Sequence, residues 1–438
     1  MDKATRKYLE RYAEKINYTA ILQSLSGHVF DHAIVVPCRA EGVGIQQLTT
    51  SIPHESQNIL LILVINGRED DSEKVRQLNH ESRAFLRNHF ESRPVEDRGV
   101  DVYDSGFGTI ISINCFEGEH CLSSREGVGL ARKMGTDLAL FLWTQDRIRS
   151  PYIQSTDADV QLPCDLLEQI YSIPRKPNFS ALLLPFFHQP RPNTVEVSRA
   201  SAIYEMSLRY YVMGLRYTGS PYAHHTIGST ILVHANDYAK VRGYPKRLAG
   251  EDFYILNKLR KLRPIHRCSG EPLQIQGRIS RRVPFGTGRK IEEIRDHGEC
   301  TFYSPQIFEN LRQFLSLINE LCYEPMRVAD CFTNSKNVVI ECLAELGYLN
   351  GIRTALRNEG TPHVRSERFL VYFDALKTLR TIHALRDRHF PNVDFQDALK
   401  HAPFLSNWTE RPTNVEKARE ALAELENSYF LVPPNNHL

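Results

Sequence analysis

The chain has 438 residues, enough for two or three domains with substantial cores. Hydrophobic residues make up 42% and charged residues 24%, which is ordinary for a water-soluble globular protein. The net charge of +2 excludes neither fold nor enzyme class, but it argues against a nucleic-acid-binding protein and against an acidic-tail protein.

Cysteine usage and hydropathy indicate a cytoplasmic protein. The nine cysteines are scattered without a Cys-x-x-Cys pair, which is typical of reduced thiols rather than of a disulfide framework or a zinc site. The charged start of the chain differs from a secretory signal, and no apolar run is long enough to cross a bilayer. We therefore expect no transmembrane segment.

The first 28 residues are predicted to form an N-terminal helical segment. Leu9, Tyr12 and Ile16 fall on one helical face, with several lysines and arginines beside it. A basic amphipathic helix can make peripheral contact with a membrane. Because the apolar face is narrow, we favour a helix that packs on the next domain.

Alternating strands and helices follow. Apolar, β-branched runs predict strands over 33–37, 59–65 and 109–115, and helices are predicted over 43–50, 72–90 and 126–142. This order predicts an α/β fold with a doubly wound, mostly parallel sheet. Ligands bind such sheets outside the carboxyl ends of the strands.

The second half of the chain changes character after about residue 300. Strands are predicted over 181–187 and 227–233, with a helix over 196–214 between them and another helix from Asp252. Only helical patterns follow, near 306–324, 336–347, 366–387 and 414–427. We therefore predict three parts: the helical segment 1–28, an α/β domain over 29–298 and a C-terminal helical domain over 299–438.

Two acidic motifs are the main candidates for chemistry. Asp157 and Asp159 follow a short β-like run, and two carboxylates at this spacing suit Mg²⁺ or Mn²⁺. Alone, the pair also fits a solvated turn. Glu251 and Asp252 open a helix, where an acidic residue serves either as a cap or as a rigidly held acid–base group.

A basic segment provides a third motif. Arg278 and Arg282 precede a Gly-Thr-Gly turn predicted at 286–288. Guanidinium groups beside glycines suit phosphate, so the segment is interpreted as a phosphate clamp or a site for an anionic acceptor. In isolation, the same pattern describes a solvated basic hairpin.

In this order the motifs resemble those of the family 2 glycosyltransferases with a GT-A fold. The series runs through the Pro37-x-Arg39-x-Glu41 segment, Asn66-Gly67, Arg132-Lys133, the Asp-x-Asp pair and Glu251-Asp252, and it covers about 30–290. The chain has Asn66 where the family often has an acidic residue, and Lys133 where it often has asparagine. Both departures concern contacts to the nucleotide base.

The resemblance implies a transferase that moves a sugar from a nucleotide-sugar to an acceptor hydroxyl with inversion of configuration. Asp157 and Asp159 would hold Mn²⁺ or Mg²⁺ and the donor, and Asp252, with Glu251 beside it, would be catalytic, Asp252 as general base. The remaining donor contacts implied are Pro37, Arg39, Glu41, Asn66, Arg132, Arg278 and Arg282. A third metal ligand could come from His224, His225, His266 or His297.

Two alternatives stay open from the sequence. A sugar-phosphate nucleotidyltransferase would also use a metal on an α/β sheet, but its glycine-rich basic loop is absent after the first strand. A non-catalytic protein that binds nucleotide-sugar or glycan is the other. The acceptor, a sugar, glycan or small hydroxylated molecule, is not specified by the sequence.

Overall fold

The computed structural model describes residues 1–53, 58–97, 99–172, 178–190, 195–277, 287–297, 300–333, 336–408 and 412–431. By contacts the chain divides into two compact units. The first unit comprises 1–191 and 226–289, and the second comprises 192–225 and 290–438.

The strands and helices are numbered in chain order. The strands are β1 His32–Cys38, β2 Ile59–Asn66, β3 Glu91–Arg93, β4 Val100–Ser105, β5 Gly108–Cys115, β6 Tyr152–Ser155, β7 Val160–Gln161, β8 Ala181–Leu183, β9 Phe186–Pro190, β10 Ile231–His234, β11 Ile265–Arg267, β12 Leu273–Gly277, β13 Thr301–Phe302 and β14 Val393–Asp394. The helices are α1 Lys3–Arg11, α2 Tyr18–Ser24, α3 Ile45–Ser51, α4 Glu73–His89, α5 Val128–Thr144, α6 Leu166–Tyr171, α7 Val195–Tyr217, α8 Ala235–Lys240, α9 Glu251–Arg260, α10 Thr287–His297, α11 Pro305–Tyr323, α12 Val328–Thr333, α13 Val338–Glu345, α14 Leu349–Ala355, α15 Pro362–Tyr372, α16 Ala375–Arg388, α17 Phe395–His401 and α18 Val415–Leu431.

A nine-stranded sheet forms the centre of the first unit, in the order β11-β8-β10-β6-β1-β2-β5-β4-β3. The central strands β6, β1, β2 and β5 are mutually parallel, while β10, β4 and β3 pair antiparallel with their neighbours. The predicted α/β class is confirmed, and the parallel arrangement holds for this central part of a mixed sheet.

Continuous apolar sequence explains the central strands. Every residue of β1 and of β2 is buried, as expected for strands covered on both faces. Alternate residues enter two cores: Val35 packs with α5 and α9 residues on one face, and Val36 packs with α3 and α4 residues on the other. Gly135 lets α5 approach closely, because a Cβ there would lie 2.4 Å from Val35 Cγ1.

The N-terminal segment forms two helices rather than one and is part of the first unit. Asn17 begins the second helix by accepting a hydrogen bond from the Ala20 amide at 3.1 Å. Tyr8 of α1 is buried and donates to Asp137 Oδ1 of α5 at 2.5 Å. Lys133 Nζ lies 2.7 Å from Asp137 Oδ2, so the buried carboxylate is paired.

The second unit is helical apart from the two short strands β13 and β14 in its described residues. Tyr210 of α7 packs against Phe308 of α11 in its aromatic core. Arg209, 1% exposed, pairs with Glu205 and with Glu426 of α18. In the described part of the chain, no helix combines the length and the apolar character that crossing a bilayer requires.

Candidate active site

Polar side chains gather where the central parallel strands end. Arg39 and Glu41 follow β1, Asn66 ends β2, and Asp157 follows β6. The registers pair Cys38 with Ile65 and Val35 with Ser155, so these three chain segments leave the sheet at the same edge. This is the edge at which open α/β sheets bind ligands.

Arg132 of α5 links both acidic motifs through one guanidinium group. Its Nη2 donates to Asp157 Oδ1 at 2.5 Å, and its Nε donates to Glu251 Oε1 at 2.8 Å. The remaining nitrogen, Nη1, donates to Ser155 Oγ at 2.6 Å and to the Thr156 carbonyl at 3.3 Å. The strand end and the start of α9 are therefore held together by a single side chain.

The surroundings of Arg132 leave it little freedom. The residue is 3% exposed, and a Cβ on Gly228 would lie 2.5 Å from its Nη2. Burial alone would lower its pKa, but Asp157 and Glu251 raise the pKa above its ordinary value, so the group stays charged. The role of Arg132 as a direct contact to the nucleotide-sugar stays a prediction. In the structure, each of its three guanidinium nitrogens donates to a protein atom.

Glu251 and Asp252 lie in the first turn of α9 and differ in environment. Gly250, with φ of 77°, is the N-cap residue and provides no side-chain cap. Glu251 is buried against Arg132, whereas Asp252 is only partly buried and accepts the Phe253 amide at 2.7 Å. Burial and the negative charge of Glu251 raise the pKa of Asp252 to about 7.

A second ion pair organises the loops after β1 and β2. Arg39 donates through Nε to Asp71 Oδ2 at 3.1 Å, and Asp71 also accepts the Arg68 amide at 2.8 Å. Burial would raise the pKa of Asp71, but these hydrogen bonds and charges lower it below its usual value. Arg39 was predicted to contact the donor, and Asp71 is its protein partner.

Asn79 of α4 connects the loop after β1 to the end of β2 and was not a predicted site residue. It is fully buried, accepts the Ala40 amide at 2.8 Å and donates to the Asn66 carbonyl at 3.1 Å. Ala40 has a φ of 55°, so Asn79 stabilises a left-handed conformation there. Asn66 itself is 2% exposed. The sequence feature that could have identified Asn79 is a polar residue on the buried face of an amphipathic helix.

Asp157 and Asp159 are the metal ligands predicted from the sequence. Asp157 and Asp159 are both partly exposed. Arg132 binds Oδ1 of Asp157 and not Oδ2. Two carboxylates of this kind suit a hard divalent cation whose other positions are filled by phosphate and water. Among the described residues, no group of three or more His, Cys, Asp or Glu side chains could hold a metal.

The candidate third ligands have other surroundings. His225 Nε2 lies 2.5 Å from Glu426 Oε1 in the second unit, and His266 stacks on Phe179 with ring centroids 4.5 Å apart. His224 also belongs to the second unit, as does His297, whose side chain is not described.

The basic segment is only partly described. Arg278 and Arg282 lie outside the described residues, so their assignment as donor contacts stays a prediction. The turn predicted at 286–288 is wrong for its last two residues, because Thr287 and Gly288 begin α10. Pro37 lies within β1, and Glu41 precedes a short 3-10 helix over Gly42–Gly44.

Comparisons with known proteins add structural neighbours of low similarity. No protein-family model matches the chain, and no curated protein matches its sequence. S. aureus TarS 1-349 in complex with UDP-GlcNAc aligns with 13% identity and a TM-score of 0.34, covering 91% of each chain. A second structure of S. aureus TarS 1-349 aligns with 11% identity and a TM-score of 0.34, and one in complex with UDP aligns with 11% identity and a TM-score of 0.36. Each covers 82% of this chain and 92% of the other. Values this low do not establish a shared activity.

Proposed function

We propose that the protein is a glycosyltransferase that moves a sugar from a nucleotide-sugar donor to an acceptor hydroxyl, with inversion. The observation that carries the proposal is the joining of Asp157 to the Glu251-Asp252 turn through Arg132. The candidate metal and phosphate ligand Asp157 and the candidate base Asp252 therefore lie at the same end of the parallel sheet. These are the two groups that an in-line sugar transfer requires.

Asp252 is proposed as the general base. A base is most effective when its pKa lies near the working pH, and the pKa of Asp252 is about 7. At neutral pH a substantial fraction of this carboxylate is ionised and can accept the proton of an acceptor hydroxyl. Glu251 is proposed to act through position and charge, because it is buried against Arg132 and raises the pKa of its neighbour.

Asp157 and Asp159 are proposed to hold Mn²⁺ or Mg²⁺ together with the donor diphosphate. The bound cation would stabilise the negative charge that develops on the departing diphosphate. The Asp157 carboxylate is held by Arg132 through one oxygen, and the backbone of Asp159 is held to β12, because its carbonyl accepts the Gln276 amide at 3.3 Å. Pro37, Arg39, Glu41 and Asn66 are proposed to line the nucleotide end of the site.

A donor panel tests the proposal. The protein is incubated with nucleotide-sugars, a set of hydroxylated acceptors and Mn²⁺, and released nucleoside diphosphate is measured. We expect diphosphate release that depends on the acceptor and is lost in Asp157→Asn. Release of pyrophosphate or sugar phosphate would instead identify a nucleotidyltransferase. Saturable donor binding without turnover across the acceptor set would identify a binding protein and contradict the proposal.

A further inference from the structure

Three exposed cations of the first unit lie together between α8 and α9. Arg242 and Arg247 belong to the loop that joins these helices, and Lys258 lies on α9. Lys258 Nζ donates to the carbonyl of Val241 at 3.2 Å, which places the ammonium group beside Arg242. Loss of hydration and the positive charges of Arg242 and Arg247 lower the pKa of Lys258, because nearby like charges disfavour the ammonium ion.

Both arginines are supported by aromatic rings. The Arg242 guanidinium lies 4.7 Å from the centroid of the Tyr12 ring, and that of Arg247 lies 4.0 Å from the Tyr254 ring. A guanidinium that stacks on a ring keeps its N–H edge available for an anion. Arg242 also has a φ of 65°, a conformation that costs free energy in a residue other than glycine.

Neighbouring cations on the same part of the surface are paired. Lys240 and Arg263 both contact Asp237, and Lys246 Nζ lies 2.8 Å from Glu14 Oε1. Within the ranges of the chain that the structure describes, Arg242, Arg247 and Lys258 form no ion pair with a carboxylate. Like charges held this close without a counter-ion are unfavourable, and a bound anion would relieve the repulsion.

We propose that Arg242, Arg247 and Lys258 form a binding site for the phosphate group of a ligand. Two guanidinium edges and one ammonium group offer donors to several oxygens of a phosphate at once. The Arg247 carbonyl accepts the Gly129 amide at 3.1 Å, so the loop lies on the N-terminal end of α5, the helix that carries Arg132. The site is therefore near the candidate active site but shares no residue with it.

Calorimetric titration with inorganic pyrophosphate tests this site. EDTA is included so that no metal-dependent binding occurs at Asp157 and Asp159. We expect saturable binding that weakens about tenfold in Arg247→Gln and in Lys258→Gln, because each removes a charge-assisted contact. The matched control is Lys74→Gln, which removes an exposed lysine of α4 in the same unit and should leave the affinity unchanged. In the wild type, bound pyrophosphate should also raise the pKa of Lys258, which NMR of isotope-labelled lysine can measure.

Vesicles of phosphatidylcholine with phosphatidylglycerol form the second arm, assayed by flotation. Vesicle binding that both variants lose would support the site and identify a lipid headgroup as the source of the phosphate. Pyrophosphate binding alone would support it with a soluble ligand. The proposal is overturned if the wild type binds neither probe, or if Arg247→Gln and Lys258→Gln bind as Lys74→Gln does.

Discussion

Replacing Arg132 by methionine should destabilise the first unit strongly. The substitution leaves the Glu251 side chain, only 5% exposed, without its cation. Removing one partner of a buried ion pair costs about 3–5 kcal/mol, because the remaining charge stays desolvated. Asp157 adds little to this cost, since its side chain is 36% exposed and an exposed pair contributes about 0–1 kcal/mol.

A double variant separates the unpaired charge from simple loss of packing. Arg132→Met with Glu251→Gln leaves no buried unpaired charge, so it should recover at least about 2 kcal/mol relative to Arg132→Met alone. The matched control is Arg83→Met. Arg83 and Asp101 form a more exposed pair, with 19% exposure of each side chain, and Arg87 remains next to Asp101. This control should cost about 1 kcal/mol or less.

The two tryptophans allow the first unit to be followed alone. Trp143 lies in α5 of that unit and Trp408 lies in the second unit, so a Trp408→Phe background leaves one reporter. Urea unfolding followed by Trp143 fluorescence then gives the free energy of unfolding for each variant. The reasoning is refuted if Arg132→Met costs no more than Arg83→Met, or if Glu251→Gln fails to restore stability.

Three further outcomes are expected. Asp252→Asn should have a higher melting temperature than the wild type, and the difference should widen between about pH 5 and pH 8, because the raised pKa of Asp252 makes its ionisation unfavourable in the folded state. Calorimetry at both pH values measures this difference, and a constant difference would speak against a perturbed carboxyl. Asp71→Asn should cost about 1–2 kcal/mol at neutral pH, and urea titrations should show that cost vanish as the pH falls below 3.8 and through the lowered pKa, whereas a pH-independent cost would exclude the Arg39 pair as its cause. Asn79→Leu should cost about 1–3 kcal/mol in the Trp143 assay, since two buried backbone groups lose their partner, and a neutral result would show that they find others.

The central strands were predictable from sequence because they are buried on both faces. Continuous apolar runs predicted β1, β2 and β5 to within a residue or two. The short antiparallel strands β3 and β4 were missed, since β3 has the sequence Glu-Ser-Arg with no apolar residue and the apolar residues of β4 are interrupted by aspartates. The helix predicted over 366–387 is two helices, and Asp374 begins the second by accepting the Lys377 amide at 3.2 Å.

The acidic candidates were recognisable because they lie at element boundaries, but their connection was not. Arg132 and Glu251 are 119 residues apart, and no local pattern relates them. Their contact depends on how α5 and α9 pack on the same sheet face. Asn79 was missed for a similar reason, since its partners are Ala40 in the loop after β1 and Asn66 at the end of β2, which only the sheet brings together. The roles of the site residues in catalysis stay predictions.

The pH dependence of nucleoside-diphosphate release tests the proposed chemistry most directly. With a donor and an acceptor that support turnover, the rate of the wild type should rise with pH through about 7, as Asp252 loses its proton. Asp252→Asn should bind the donor as tightly as the wild type, lose about a hundredfold or more in kcat, and show no such rise. A variant that keeps the wild-type rate and the same pH profile would contradict the assignment of Asp252 as the base.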